Sequence, residues 1–139
     1  MMEKSSGKTK TLRAVVLIAV LVVVALGVYA ALTYPKTVVS FPVAFTIGAN
    51  VEHKEFDMPL LHGWAQVEVI VSSGTALWAA NIILQDETIW SHTAHQGGQT
   101  TYKSGWIELP SEHYNFTFAT AGLGSLEAEI KVTTKGGFW

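Results

Sequence analysis

Cysteine is missing altogether from the 139 residues. Thiol catalysis, iron–sulfur clusters and thiolate-bound zinc are excluded with it. So is any disulfide staple, on which domains sent to an oxidising space often rely. Arginine occurs once, as Arg13, and residues 35–139 carry five lysines against ten aspartates and glutamates, a net charge of −5. An acidic segment of this kind repels phosphate backbones and argues against a nucleic-acid partner. Gly-x-Ser-x-Gly, His-Glu-x-x-His and phosphate-binding loop patterns are lacking too, as are internal repeats and low-complexity tracts.

Against these absences stands one long apolar run. Residues 14–34, AVVLIAVLVVVALGVYAALTY, contain no charge, and twelve of them are Leu, Ile or Val. As a helix this run would be roughly 31 Å long, close to the roughly 30 Å of a bilayer's hydrocarbon core. Residues 1–13 precede it with Lys4, Lys8, Lys10 and Arg13 against Glu3. By the positive-inside rule this leader, disordered by composition, stays cytoplasmic and the downstream chain crosses. The helix is expected to end before Pro35, because the residue preceding a proline is pushed out of the α region. The organisation read from this is a basic leader over 1–13, a signal-anchor helix over 14–34 that contacts the lipid bilayer, and an extracytoplasmic domain over 35–139. A cleaved signal is the competing reading, with Val28-Tyr29-Ala30 as the cut pattern, although the run exceeds the usual signal length. A prepilin-type cut near Arg13-Ala14 fits poorly, since no early glutamate follows it.

The remaining residues read as strands. Residues 37–47 are rich in β-branched and aromatic types, with Pro42 restricting them to an edge or a bulge. A turn at Gly48-Ala49-Asn50 leads into a short charged edge strand over 51–58. Residues 64–71 alternate cleanly, with Ala65, Val67, Val69 and Val71 on one face, before a turn at Ser72-Ser73-Gly74. Residues 76–84 are apolar enough for a buried strand, although their period does not exclude a helical turn. A short strand over 88–92 runs into a polar loop over 92–99, followed by strands over 100–104 and 106–110. A closing hairpin is expected from Tyr114, Phe116 and Phe118 and from Leu126, Ala128, Ile130 and Val132, joined through Gly122-Leu123-Gly124. The fold class is therefore all-β, an antiparallel β-sandwich of immunoglobulin-like or jelly-roll-like type, preceded by one transmembrane helix. The stretch from Trp106 to Phe118, with Leu109-Pro110 and Tyr114-Asn115-Phe116, resembles a pattern that precedes the last hairpin of many extracytoplasmic β-sandwiches. That resemblance bears on fold alone.

Several residue groups are candidates for chemistry. His92 and His95 have the spacing of two metal ligands, and His53, Met58 and His62 would add a soft, copper-like set; solvated loop histidines are the plainer explanation. Ser91 beside His92, and Glu108 near Glu112, supply catalytic residue types without a recognisable motif. Trp64, Trp78, Trp90 and Trp106 would suit either a sugar platform or core filling. Asn115-Phe116-Thr117 is an N-glycosylation acceptor pattern. Phe138 and Trp139, freed by two glycines, are interaction candidates for a partner, the membrane interface or the end of their own sandwich.

No cofactor and no enzymatic activity are expected. The function read from the sequence is that of a single-pass, membrane-anchored accessory or interaction component of the cell envelope, with a protein partner or self-association. The alternatives are an exported filament subunit, with residues 37–47 as a donor strand, or a sugar-binding module.

Overall fold

The computed structural model describes residues 2–95, 100–137 and 139. One helix, α1 (Met2–Thr33), precedes nine strands. The helix starts at Met2, so the leader expected to be disordered is helical. Only Gly7 within it opposes that, at a cost of about 1 kcal/mol. The stretch Thr9–Thr33 contains an 18-residue window of mean hydropathy 3.0, none of it buried, and is long and apolar enough to cross a membrane. Residues up to 32 form one compact unit, and Thr33–Trp139 form another.

The second unit is an antiparallel sandwich of two sheets. Its strands are β1 (Lys36–Phe45), β2 (Gly48–Asp57), β3 (Trp64–Gly74), β4 (Leu77–Leu84), β5 (Glu87–His95), β6 (Thr100–Lys103), β7 (Ile107–Glu108), β8 (His113–Gly122) and β9 (Leu126–Lys135). One sheet runs β1-β9-β3-β6, with β7 also on β3, and the other runs β2-β8-β4-β5. Successive strands thus change sheets at every connection except β4–β5 and β6–β7. This is the jelly-roll order rather than the immunoglobulin one.

The core follows from the alternation. Ala65, Val67, Val69 and Val71 of β3 face inward, as do Leu126, Ala128, Ile130 and Val132 of β9. Across from them lie Trp78, Ala80 and Ile82 of β4 and Tyr114, Phe116 and Phe118 of β8. Both faces expected from the closing segment are correct, but the hairpin is not. β8 pairs with β2 and β4, whereas β9 pairs with β1 and β3. Alternation shows which side of a strand is buried but not which sheet the strand joins, and here the connection arches between sheets.

Three boundaries also differ. The expected turn at 48–50 is strand: the chain reverses at Thr46-Ile47, and Gly48 takes a left-handed φ of +104°. Strand β3 continues through Ser72-Ser73-Gly74 by way of a register shift between Val71 and Ser73. Strand β5 runs to His95, so the first four residues of the expected polar loop over 92–99 are strand, and 96–99 lie outside the described residues. β1 and β2 are edge strands, as Pro42 and the charges of β2 require.

Candidate functional site

The histidines are dispersed by the strands that carry them. Positions 92 and 95 both lie in strand β5 rather than in a loop; the side chain of His95 lies outside the described residues. His92 faces inward, stacked on Tyr102 at 3.9 Å between centroids and 11° between planes, with Trp78 5.5 Å away. Burial raises the Tyr102 hydroxyl above its ordinary pKa. His62 is buried, its Nδ1 2.7 Å from Thr134 Oγ1, and Met58 is buried in the core. His53 lies on the outer face of β2, in register with Thr117. Among the described residues, no group of three or more His, Asp or Glu is placed to hold a metal ion.

The catalytic pairings are likewise separated. Ser91 and His92 are neighbours in a strand and point to opposite faces. Glu108 lies in β7 and lines a cleft of about 400 Å³ with His62, Trp64 and Ser111; Glu112 belongs to the bend before β8.

The tryptophans divide between core and surface. Trp78 is 1% exposed and stacked on Phe118 at 5.6 Å, and its Nε1 has no hydrogen-bond partner. Trp90 packs against the core from the edge. Trp64 and Trp106 are on the outside of the other sheet, where Lys135 Nζ lies 4.4 Å from the Trp106 ring centroid. The four rings therefore share no single platform.

Asn115 sits in β8, in register with Glu55 of β2 and Ile83 of β4. Its Oδ1 is buried without a hydrogen-bond partner. Tyr114 beside it explains the Leu-Pro pattern noted in the sequence: its hydroxyl donates to the Pro110 carbonyl at 2.6 Å, tying the bend to the strand. This is the geometry of a tyrosine corner.

One cluster escaped sequence reasoning. His113 Nδ1 lies 2.6 Å from Asp57 Oδ1, and its Nε2 lies 3.8 Å from Glu55 Oε1. The hydrogen bond to Asp57 leads in raising the His113 pKa above the usual histidine value. These residues are 56 positions apart and meet only through the β2–β8 register, which no local pattern announces.

A second cluster gathers around Thr33. Trp139 Nε1 donates to Thr33 Oγ1 at 2.9 Å, and the Gly136 amide donates to the Thr33 carbonyl at 2.9 Å. Tyr34 meets the Trp139 ring edge-on at 5.1 Å. Lys135 Nζ donates to the Trp139 carbonyl. Phe138 lies outside the described residues. At the opposite end of the sandwich, Ile47, Leu77 and Leu123 are exposed, Leu123 at 91%.

No protein-family model matches the chain, and no curated protein matches it in sequence. Solved structures match it in fold. The exported protein XepA of PBSX superposes with a TM-score of 0.50 at 10% identity, over 73% of this chain and 36% of that one. The module TmCBM61, solved with β-1,4-galactotriose, gives 0.49 at 12% identity over 68% of each chain. PirA gives 0.48 at 12% identity, over 66% of this chain and 90% of that one. At such identities the likeness is one of fold alone.

Proposed function

We propose that the chain is a membrane-anchored, extracytoplasmic jelly roll that acts as a non-enzymatic interaction component of the cell envelope. One observation carries the reading: α1 contains an 18-residue window of mean hydropathy 3.0, none of it buried. Water would oppose such exposure along the whole length, whereas a bilayer satisfies it. From residue 14 onward the span carries no Asp, Glu, Lys, Arg or His, which suits an anchor better than a transport path. The basic leader then keeps the N-terminus cytoplasmic. The non-enzymatic part of the proposal is supported by the separation of Ser91 from His92 and of the histidines from one another.

Assembly by strand addition has less support. β1, the proposed donor, already pairs along its length with its own β9, and a neighbour's sheet would have to displace that pairing.

The test is intact-mass measurement of the native protein after an alkaline wash of the membranes. We expect the full-length mass in the pellet and protease access to residues 35–139 from the outer side only. A mass lacking the first ~30 residues would identify a cleaved signal instead.

A further inference from the structure

The end of the sandwich that surrounds Thr33 exposes more apolar surface than its core requires. Tyr34 is 61% exposed, Leu60 69%, Leu61 48% and Trp139 44%. These four are neighbours. Tyr34 and Trp139 touch ring to ring. A Cβ built on Gly136 would meet both the Thr33 side chain and the Leu61 carbonyl, so the Leu61 backbone passes beside Thr33. Leu60 and Leu61 form the tip of a turn closed by the His62 amide on the Pro59 carbonyl at 3.0 Å.

Two features of that turn are not explained by folding. Leu61 has a φ of +64°, a left-handed conformation that a branched side chain disfavours and that Gly or Asn would adopt more readily. The turn also presents two leucines to solvent where turns ordinarily carry polar residues. Both features fit if the tip meets a surface that rewards leucine.

What lies there follows from chain continuity. Thr33 is the last residue of the apolar helix and is held among these residues by two hydrogen bonds. Tryptophan and tyrosine favour the headgroup level of a bilayer, where an apolar ring and a polar handle are both satisfied. Lys36 is exposed beside Tyr34, and Lys135 lies beside Trp139, supplying cations for anionic headgroups. The acidic groups at this end are Asp57 and Glu55, which face His113, Glu108, which lies opposite Trp64 in the cleft beside His62, and Glu112, whose backbone carbonyl accepts from the Met58 amide.

We propose that Tyr34, Leu60, Leu61 and Trp139 form a lipid-contacting foot that seats the sandwich in the headgroup layer. The proposal rests on the anchor reading and adds a second, peripheral contact to it.

The absence of cysteine makes the test direct, because a single introduced thiol is uniquely labelled. Full-length Leu60→Cys and Leu123→Cys, each carrying an environment-sensitive dye, are reconstituted into phosphatidylcholine–phosphatidylglycerol vesicles containing a lipid with a headgroup-proximal quencher. We expect at least about threefold stronger quenching at position 60 than at position 123, with blue-shifted emission at 60 alone. Equal quenching at the two positions in protein that floats with the vesicles would overturn the foot while leaving the anchor standing. Failure of the protein to float would overturn the anchor itself. Tryptophan emission of the unlabelled protein gives an independent check: its lipid-quenched fraction is expected to fall at least about twofold in Trp139→Phe. No change would count against the foot.

Discussion

His113 is the residue most directly tied to pH. Its hydrogen bond to Asp57 favours the protonated ring, so its folded-state pKa lies above the unfolded value. A group shifted in that direction contributes stability that is fully present below its unfolded pKa, roughly 6.5, and is lost as pH rises through the folded value. The melting-temperature gap between wild type and His113→Gln is therefore expected to narrow from about pH 5.5 to about pH 8.5. A constant gap would show that the imidazolium contributes nothing. Gly136 gives a second residue-scale prediction. A Cβ there would lie 2.5 Å from the Thr33 Cβ and 2.8 Å from the Leu61 carbonyl oxygen. Gly136→Ala should destabilise by about 1–3 kcal/mol through overpacking. Gly137→Ala, whose Cβ would meet Trp64 Nε1 at 3.5 Å, should stay within about 0.5 kcal/mol. Thermal melts of both variants decide the point. Neither the His113 cluster nor the Gly136 approach was legible in the sequence, since each joins segments more than 50 residues apart.

Among the elements, the strands show what local pattern reveals and where it stops. The inward faces of β3, β8 and β9 were legible because a two-residue period needs no knowledge of partners. Pro42 and the charges of β2 likewise announced edges. The mistaken hairpin shows the limit, because two alternating strands joined by a short glycine-containing turn look the same whether they pair or face each other across a core. The histidine pair shows a boundary rather than a face: His92 and His95 were read in a loop, and both lie in strand β5. Both edges at the β1–β2 side are protected against further pairing, and Lys54 adds to this by reaching inward to lie 5.6 Å from the Phe41 centroid. The contrast between core and turn is measurable within β8 and the turn that follows it. Phe116→Ala should cost about 3–5 kcal/mol, whereas Leu123→Ser, at a position 91% exposed, should change stability by less than about 0.5 kcal/mol. Denaturant midpoints at constant slope give both values.

For the whole molecule, the separation into two units predicts independence. Thr33–Trp139 forms a compact unit with its own hydrophobic core. A chain lacking residues 2–31 is expected to melt within about 4 °C of the full protein, corresponding to less than about 1 kcal/mol. A larger drop, by near-ultraviolet circular dichroism in matched detergent, would contradict that independence. The arrangement of β9 carries a different consequence, one of timing. β9 occupies the middle of its sheet, joining β1 on one side to β3 on the other, and its residues follow β1 by about ninety positions. A chain emerging N-terminus first presents β1 early, yet β9, the strand it pairs with, arrives last, and so nearly does β8, whose Phe116 and Phe118 meet Phe41. Long-range pairing of this kind is slow, because loop closure must precede any reward. Until residues 126–135 arrive, the unfinished sheet exposes apolar surface and open edges, the condition in which nascent chains aggregate. Tethering through α1 would hold each waiting chain apart from its neighbours during that interval.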